Sequence, residues 1–165
     1  MARRPSAEVT RLVRSLDQVF GSRGWHGATL LGALRGLTPE AAGWRPAPGR
    51  HCIWELILHT AYWKYAVRRR ITGATGETFP RSPSNWPDLP DDRSRRALRR
   101  DIALLKTEHA QLITAVAGLR PATLGRRSPK DRWTYREMIA GVGAHDAYHT
   151  GQIQLIKRLR VSGER

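Results

Sequence analysis

The stretch Val142-Gly-Ala-His145-Asp-Ala-Tyr-His149-Thr-Gly-Gln-Ile153-Gln-Leu-Ile156-Lys-Arg-Leu159 decides how the rest of the chain is read. Val142, His145, His149, Ile153, Ile156 and Leu159 follow steps of three and four. That is the period of a helix with one face turned into a core. Two imidazoles therefore occupy positions where an ordinary core helix carries Leu or Ile. Burying an imidazole is costly unless its ring nitrogens find partners, and a metal ion is one such partner.

Three more helices follow from the same reasoning, working back toward the N-terminus. The helix just quoted starts at Thr134-Tyr-Arg-Glu137, a capping box in which hydroxyl and carboxylate satisfy each other's backbone amides, and it runs to about Arg160. Before it, Leu98, Ile102, Leu105, His109, Leu112, Val116 and Leu119 keep a heptad rhythm that predicts a helix over 92–119. Ile53, Leu56, Ile57, Thr60, Trp63, Val67 and Ile71 form one broad face over 53–71, closed by Gly73. The first helical pattern covers 6–35 and carries Val9, Leu12, Val13, Leu16, Val19 and Phe20. Gly21, Gly24 and Gly27 predict a kink or break in its middle. Thr38-Pro39-Glu40 reads as a cap followed by Pro at the first position of a short turn.

Between the second and third helices, Pro80, Pro83, Pro87 and Pro90 make 73–90 a long connection that is neither helix nor central strand. Loops of that length in compact domains often carry function. No alternating strand pattern is present, so four amphipathic helices in one domain, residues 1–165, predict an all-α four-helix bundle.

Composition narrows the function. A chain of 165 residues with 40% hydrophobic content supports one sizeable core. The single cysteine, Cys52, excludes an intramolecular disulfide and a thiolate zinc site within one chain, and favours the cytoplasm. The N-terminus lacks the apolar run of a secretory signal, and no stretch reads as a membrane span. Lys plus Arg is 29 against 14 acidic residues, a net charge of +15, and only Lys64, Lys106, Lys130 and Lys157 are lysines. Such a charge attracts polyanions. It is spread over 68–70, 93–100, 120–132 and 157–165, however, and base-stacking aromatics do not interleave these runs. Nucleic acid is therefore the less favoured partner.

The third candidate ligand is His59, on the seam Leu56-His59-Trp63 of the second helix. In an up-down-up-down bundle the second and fourth helices run parallel, and His59, His145 and His149 fall toward the same end. Three neutral imidazoles suit zinc, nickel, iron or copper, and three protein ligands leave a position open for water or substrate. No nucleophile elbow, phosphate loop or dinucleotide fingerprint competes, and Asp146 stands where the zinc-protease motif carries Glu. Asp146, Glu55 and Glu137 are the only acids near enough in sequence to act in proton transfer, and Asp146 is the candidate catalytic residue. His109 can be read as a ligand, an outer donor or a satisfied core histidine. His26 reads as lining a pocket mouth, His51 as exposed, and Cys52 as a buried capping residue or a nucleophile.

His51-Cys-Ile-Trp-Glu-Leu-Ile-Leu-His59-Thr-Ala-Tyr-Trp63, Trp133-Thr-Tyr-Arg-Glu137 and His145-Asp-Ala-Tyr-His149-Thr-Gly-Gln-Ile153 resemble the DinB/YfiT-like superfamily. So do Trp25-His-Gly27, Leu37-Thr-Pro-Glu40, Trp44-Arg-Pro46 and Asn85-Trp-Pro87, so the resemblance spans nearly the whole chain. It implies a four-helix bundle binding a divalent metal, zinc or nickel foremost, through His59, His145 and His149. It also implies a homodimer and a small-molecule substrate. Relatives include transferases and isomerases that use a low-molecular-weight thiol, and metal-dependent hydrolases. The chain departs from the pattern at Cys52, where relatives tend to have Ser, which weakens the start of the second helix by up to about 1 kcal/mol. The competing expectation is a non-catalytic basic stress-response or nucleic-acid-binding module whose metal is structural.

Overall fold

The computed structural model describes residues 5–21, 24–127 and 132–163. Lys130 and Arg165, two of the charges counted above, lie outside them. Among the described residues there are seven helices and no strands: α1 (Ala7–Phe20), α2 (Leu30–Ala33), α3 (Pro39–Gly43), α4 (Ile53–Thr72), α5 (Arg95–Ala117), α6 (Pro121–Leu124) and α7 (Tyr135–Gly163). The fold is all-α, as expected. No described helix is long and apolar enough to cross a membrane.

Local chemistry explains most boundaries. Ser6, Thr38 and Ser94 cap α1, α3 and α5, each accepting from a backbone amide three residues on. At α7 the reciprocal box is complete: Glu137 accepts from the Thr134 amide at 2.7 Å, and the Glu137 amide donates to the Thr134 hydroxyl at 3.2 Å. Gly73 ends α4 at φ 69°, the left-handed turn that glycine adopts without cost. The helical pattern over 6–35 is broken at its glycines, as Gly21, Gly24 and Gly27 predict. Thr29 rebuilds the break: its hydroxyl donates to the Gly21 carbonyl and accepts from the Gly32 amide, starting the single turn of α2. The turn α6, led by Pro121, was not expected from the heptad pattern.

The four long helices close a ring in which α1 touches α5 and α7, and α4 touches α5 and α7. Side-chain pairings give their directions. Glu8 pairs with Arg136, and Leu16 and Val19 lie beside Gly143 further along, so α1 and α7 run parallel. Trp54 reaches Asp101 and, later in both helices, Arg68 reaches Glu108, so α4 and α5 run parallel. Leu56 shares one cleft with Ile156 while Val67 shares another with Met138, so α4 and α7 are antiparallel. The order is up-down-down-up, which corrects the expectation of parallel second and fourth helices. The connection over 73–94 makes it feasible. Extended, it reaches roughly 70 Å, about twice the roughly 35 Å length of α5, so it can carry the chain back along the bundle.

The core is split lengthwise into two apolar clusters. One gathers Phe20, Leu30, Ile53, Trp54, Leu56, Ile57, Leu58 and Ile153; the other gathers Val9, Leu16, Val67, Leu112, Val116, Ile139 and Val142. Between them lies a polar layer absent from the expected stripes. Lys64 of α4 and Asp146 of α7, both fully buried, form an ion pair, and the Lys64 ammonium also lies 4.8 Å from the centre of the Phe20 ring. Lys64 therefore does not belong to the surface charge. Leu159 is also misplaced by the stripe: it is 44% exposed, because α7 outruns the core after Ile156.

Candidate metal centre

His59 projects from the second turn of α4, and His145 and His149 from the middle of α7. Because α7 is the longest helix, its middle lies opposite the first turns of the antiparallel α4, so the three residues meet despite the corrected direction. His145 Nε2 is 3.0 Å from His59 Nε2 and 3.0 Å from His149 Nε2, and the three ligand atoms lie within 4.8 Å of one another. The outward nitrogens are held away. His59 Nδ1 donates to the Asn85 carbonyl at 2.6 Å, and His149 Nδ1 faces Gln152 Oε1 at 2.7 Å. His145 Nδ1 is buried without a partner among the described residues.

The donors present suit a cation. Burial pushes His59 down to about 4, against the Asn85 carbonyl that favours its charged form. Burial, followed by the neighbouring His149 and His59, pushes His145 down to about 3, and burial also lowers His149. All three are neutral near pH 7, and protons on the Nδ1 atoms of His59 and His149 turn their Nε2 lone pairs inward. One proton on His145 satisfies only one of its two 3.0 Å contacts; a cation satisfies both. Nitrogens about 2.1 Å from one ion and roughly 90–100° apart would be about 3.0 Å from each other, the spacing that His145 Nε2 keeps to each of the other two.

The connection over 73–90 supplies the wall. Asn85, at φ 73°, presents its carbonyl to His59 and its Oδ1 to Trp63 Nε1 at 2.9 Å. Asn tolerates this left-handed conformation better than most residues. The Trp86 ring stacks on His59 at 3.7 Å and on His51 at 3.6 Å. A cleft of about 860 Å³ opens over the three histidines, walled by Trp63, Trp86, Tyr148 and Leu155 and edged by Arg50 and His51. Asn85, Trp86, Tyr148 and Gln152 were not assigned roles from the sequence. The signal available was their position inside the resembling motifs.

The other sequence candidates stay apart from this cluster. Asp146, beside His145 in sequence, points to Lys64 and not into the cleft. Glu55 is gripped by Arg45 at 2.6 and 2.7 Å; burial raises its pKa, but Arg45 and the Cys52 amide outweigh burial and hold the carboxyl low. Glu137 is spent on the α7 cap. His109 is a core histidine: its Nε2 is 3.0 Å from Asp17 and its ring stacks on Phe20 at 3.6 Å. His26 is exposed and lies outside the cleft. His51 is exposed as expected, and it also edges the cleft. Cys52 is buried and burial raises its thiol pKa, the setting of an unreactive cysteine.

A family model described as the DinB superfamily matches residues 24–153. The chain belongs to the DinB superfamily. The match spans all three histidines, the Asn85-Trp86 wall and most of α7. Comparison with curated proteins and with solved structures finds no match to this DinB chain. A three-histidine cluster in a DinB helical fold is compatible with metal binding.

Proposed function

We propose that the protein is a metal-dependent enzyme that holds a divalent ion, zinc or nickel, on His59, His145 and His149. Its proposed activity is that of a small-thiol-dependent transferase or a hydrolase. The observation that carries the reading is the convergence of three neutral Nε2 atoms beneath an open cleft. An ion there supplies Lewis acidity, favouring the deprotonated form of a thiol or water at its open positions. The protein's own groups position and exclude. Asn85 and Gln152 fix ring orientation, the outer-partner role that tunes metal ligands generally. Trp63 and Trp86 keep solvent from the back of His59. Among the described residues no carboxylate lines the cleft, which favours a nucleophile activated by the ion over one activated by a protein base.

A direct test is loss of free thiol in the presence of a small electrophile, compared between loaded, stripped and His149→Ala protein. Thiol-dependent turnover only in the loaded protein supports the transferase. Metal-dependent ester cleavage without thiol supports the hydrolase. Metal-independent turnover overturns both. The reading includes a cytoplasmic homodimer: Leu155, Leu159 and Val161 leave apolar surface exposed on α7, and light scattering tests the dimer.

The basic-module reading draws on the +15 charge. It is weakened by carboxylates that already pair with Arg45, Arg68, Arg81, Arg100 and Arg136.

A further inference from the structure

The outer partner of His149 leads into the cleft through a hydrogen-bond chain of fixed direction. With its Nε2 lone pair turned toward the other two histidines, His149 carries its proton on Nδ1 and donates to Gln152 Oε1 at 2.7 Å. Gln152 then presents its amino group to the Tyr148 oxygen, 3.0 Å away. The Tyr148 oxygen is thereby used as an acceptor, so its own O–H is left to donate. No protein group receives that proton among the described residues, and the 63% exposed Tyr148 side chain lines the cleft. Arg50 lines the same cleft, and no described carboxylate pairs with its guanidinium.

We propose that Tyr148 donates a hydrogen bond to an oxyanion-bearing small molecule bound over the histidines, with Arg50 supplying the complementary charge. Among the described residues neither group has a protein acceptor, and a carboxylate supplies acceptors to both. Much of the remaining wall, Leu56, Trp86 and Leu155 included, is apolar, which suits a carboxylate carried on an apolar body. The cleft volume of about 860 Å³ falls within the roughly 300–1,000 Å³ of small-molecule sites. This names the substrate class of the metal site and rests on that reading for the direction of the His149–Gln152–Tyr148 chain. Neither Tyr148 nor Arg50 is a ligand, so both can be changed without removing the three imidazoles.

The test is calorimetric titration of the full chain with phenylacetate and with its neutral isostere phenylacetamide, after reconstitution with zinc and measurement of zinc content. Wild type is expected to prefer phenylacetate. Tyr148→Phe removes one hydroxyl and should weaken both compounds, phenylacetate about tenfold, as expected for one hydrogen bond to a charged acceptor. Arg50→Gln should weaken phenylacetate and leave phenylacetamide unchanged. Equal binding of phenylacetate by wild type and Tyr148→Phe overturns the proposal, as does no binding of either compound at millimolar concentration. The two readings fail separately. Protein that takes no zinc, yet binds phenylacetate in a Tyr148- and Arg50-dependent way, upholds the anion subsite and removes the metal reading. Zinc-loaded protein indifferent to both substitutions does the reverse.

Discussion

At the scale of single residues, the polar layer between the two apolar clusters carries strong and opposite consequences for substitution. Lys64 and Asp146 have no access to water, so each depends on the other. Lys64→Met alone leaves a buried, uncompensated carboxylate and should cost about 3–5 kcal/mol in denaturant unfolding, whereas Lys64→Met with Asp146→Leu should recover most of that loss. If the single and double variants unfold alike, the pair is not coupled. His109 gives a pH signature. Burial, with Lys64 next and Asp17 opposing, lowers it to about 4 from an ordinary 6.5. Its folded value lies below its unfolded value, so as pH falls from about 6.5 to about 4 the unfolded chain takes up a proton that the folded chain refuses. Stability therefore drops across that window, by up to about 3 kcal/mol for this residue, and levels off below it. His109→Leu should reduce the slope between pH 6.5 and 4 in unfolding experiments, leaving the share of His59, His145 and His149, and an unchanged slope counts against the assignment. The three-histidine cluster was legible in the sequence because its residues stood on, or on the flank of, apolar stripes. Lys64 was not: amid 29 basic residues it read as one more surface charge, and only packing shows that it faces a carboxylate.

At the scale of elements, the segment between α4 and α5 does two jobs. It carries the chain back along the bundle, and it lays Asn85 and Trp86 against His59. The sequence showed its length and its prolines but not its path, because nothing in local propensity says where an irregular segment packs. Helix extents were readable to within a few residues where caps and periodicity agreed, as at Thr134 and Gly73. The first pattern breaks where Gly21, Gly24 and Gly27 predict it, leaving α1 and a single turn. Direction also escaped the sequence, since apolar stripes carry no sign along the helix axis. The loop's role is testable at Asn85. Asn85→Gly tolerates the left-handed φ and retains the carbonyl that accepts from His59, but loses the bond from Trp63. Asn85→Ala loses that bond and also strains the backbone, which displaces the carbonyl. Metal affinity should therefore fall by about tenfold or more in Asn85→Ala and less in Asn85→Gly, in line with outer-partner losses elsewhere. Equal affinities across wild type and both variants contradict a supporting role for the loop.

At the scale of the whole molecule, a strongly basic exterior encloses a neutral imidazole cluster, and the two features predict different things. The surface charge should give adhesion to duplex DNA at low salt that fades by about 0.15 M and shows no sequence preference. Filter binding across a salt series measures this, and retained sequence-selective binding favours the basic-module reading. The cluster predicts stoichiometric metal. That is the central claim, and metal analysis of the reconstituted, dialysed protein tests it most directly, on wild type beside His59→Ala, His145→Ala and His149→Ala. The account predicts about one zinc or nickel per wild-type chain and a large loss in each variant, with helical content retained. Wild-type protein that keeps no stoichiometric metal, or variants that keep as much as wild type, contradicts it.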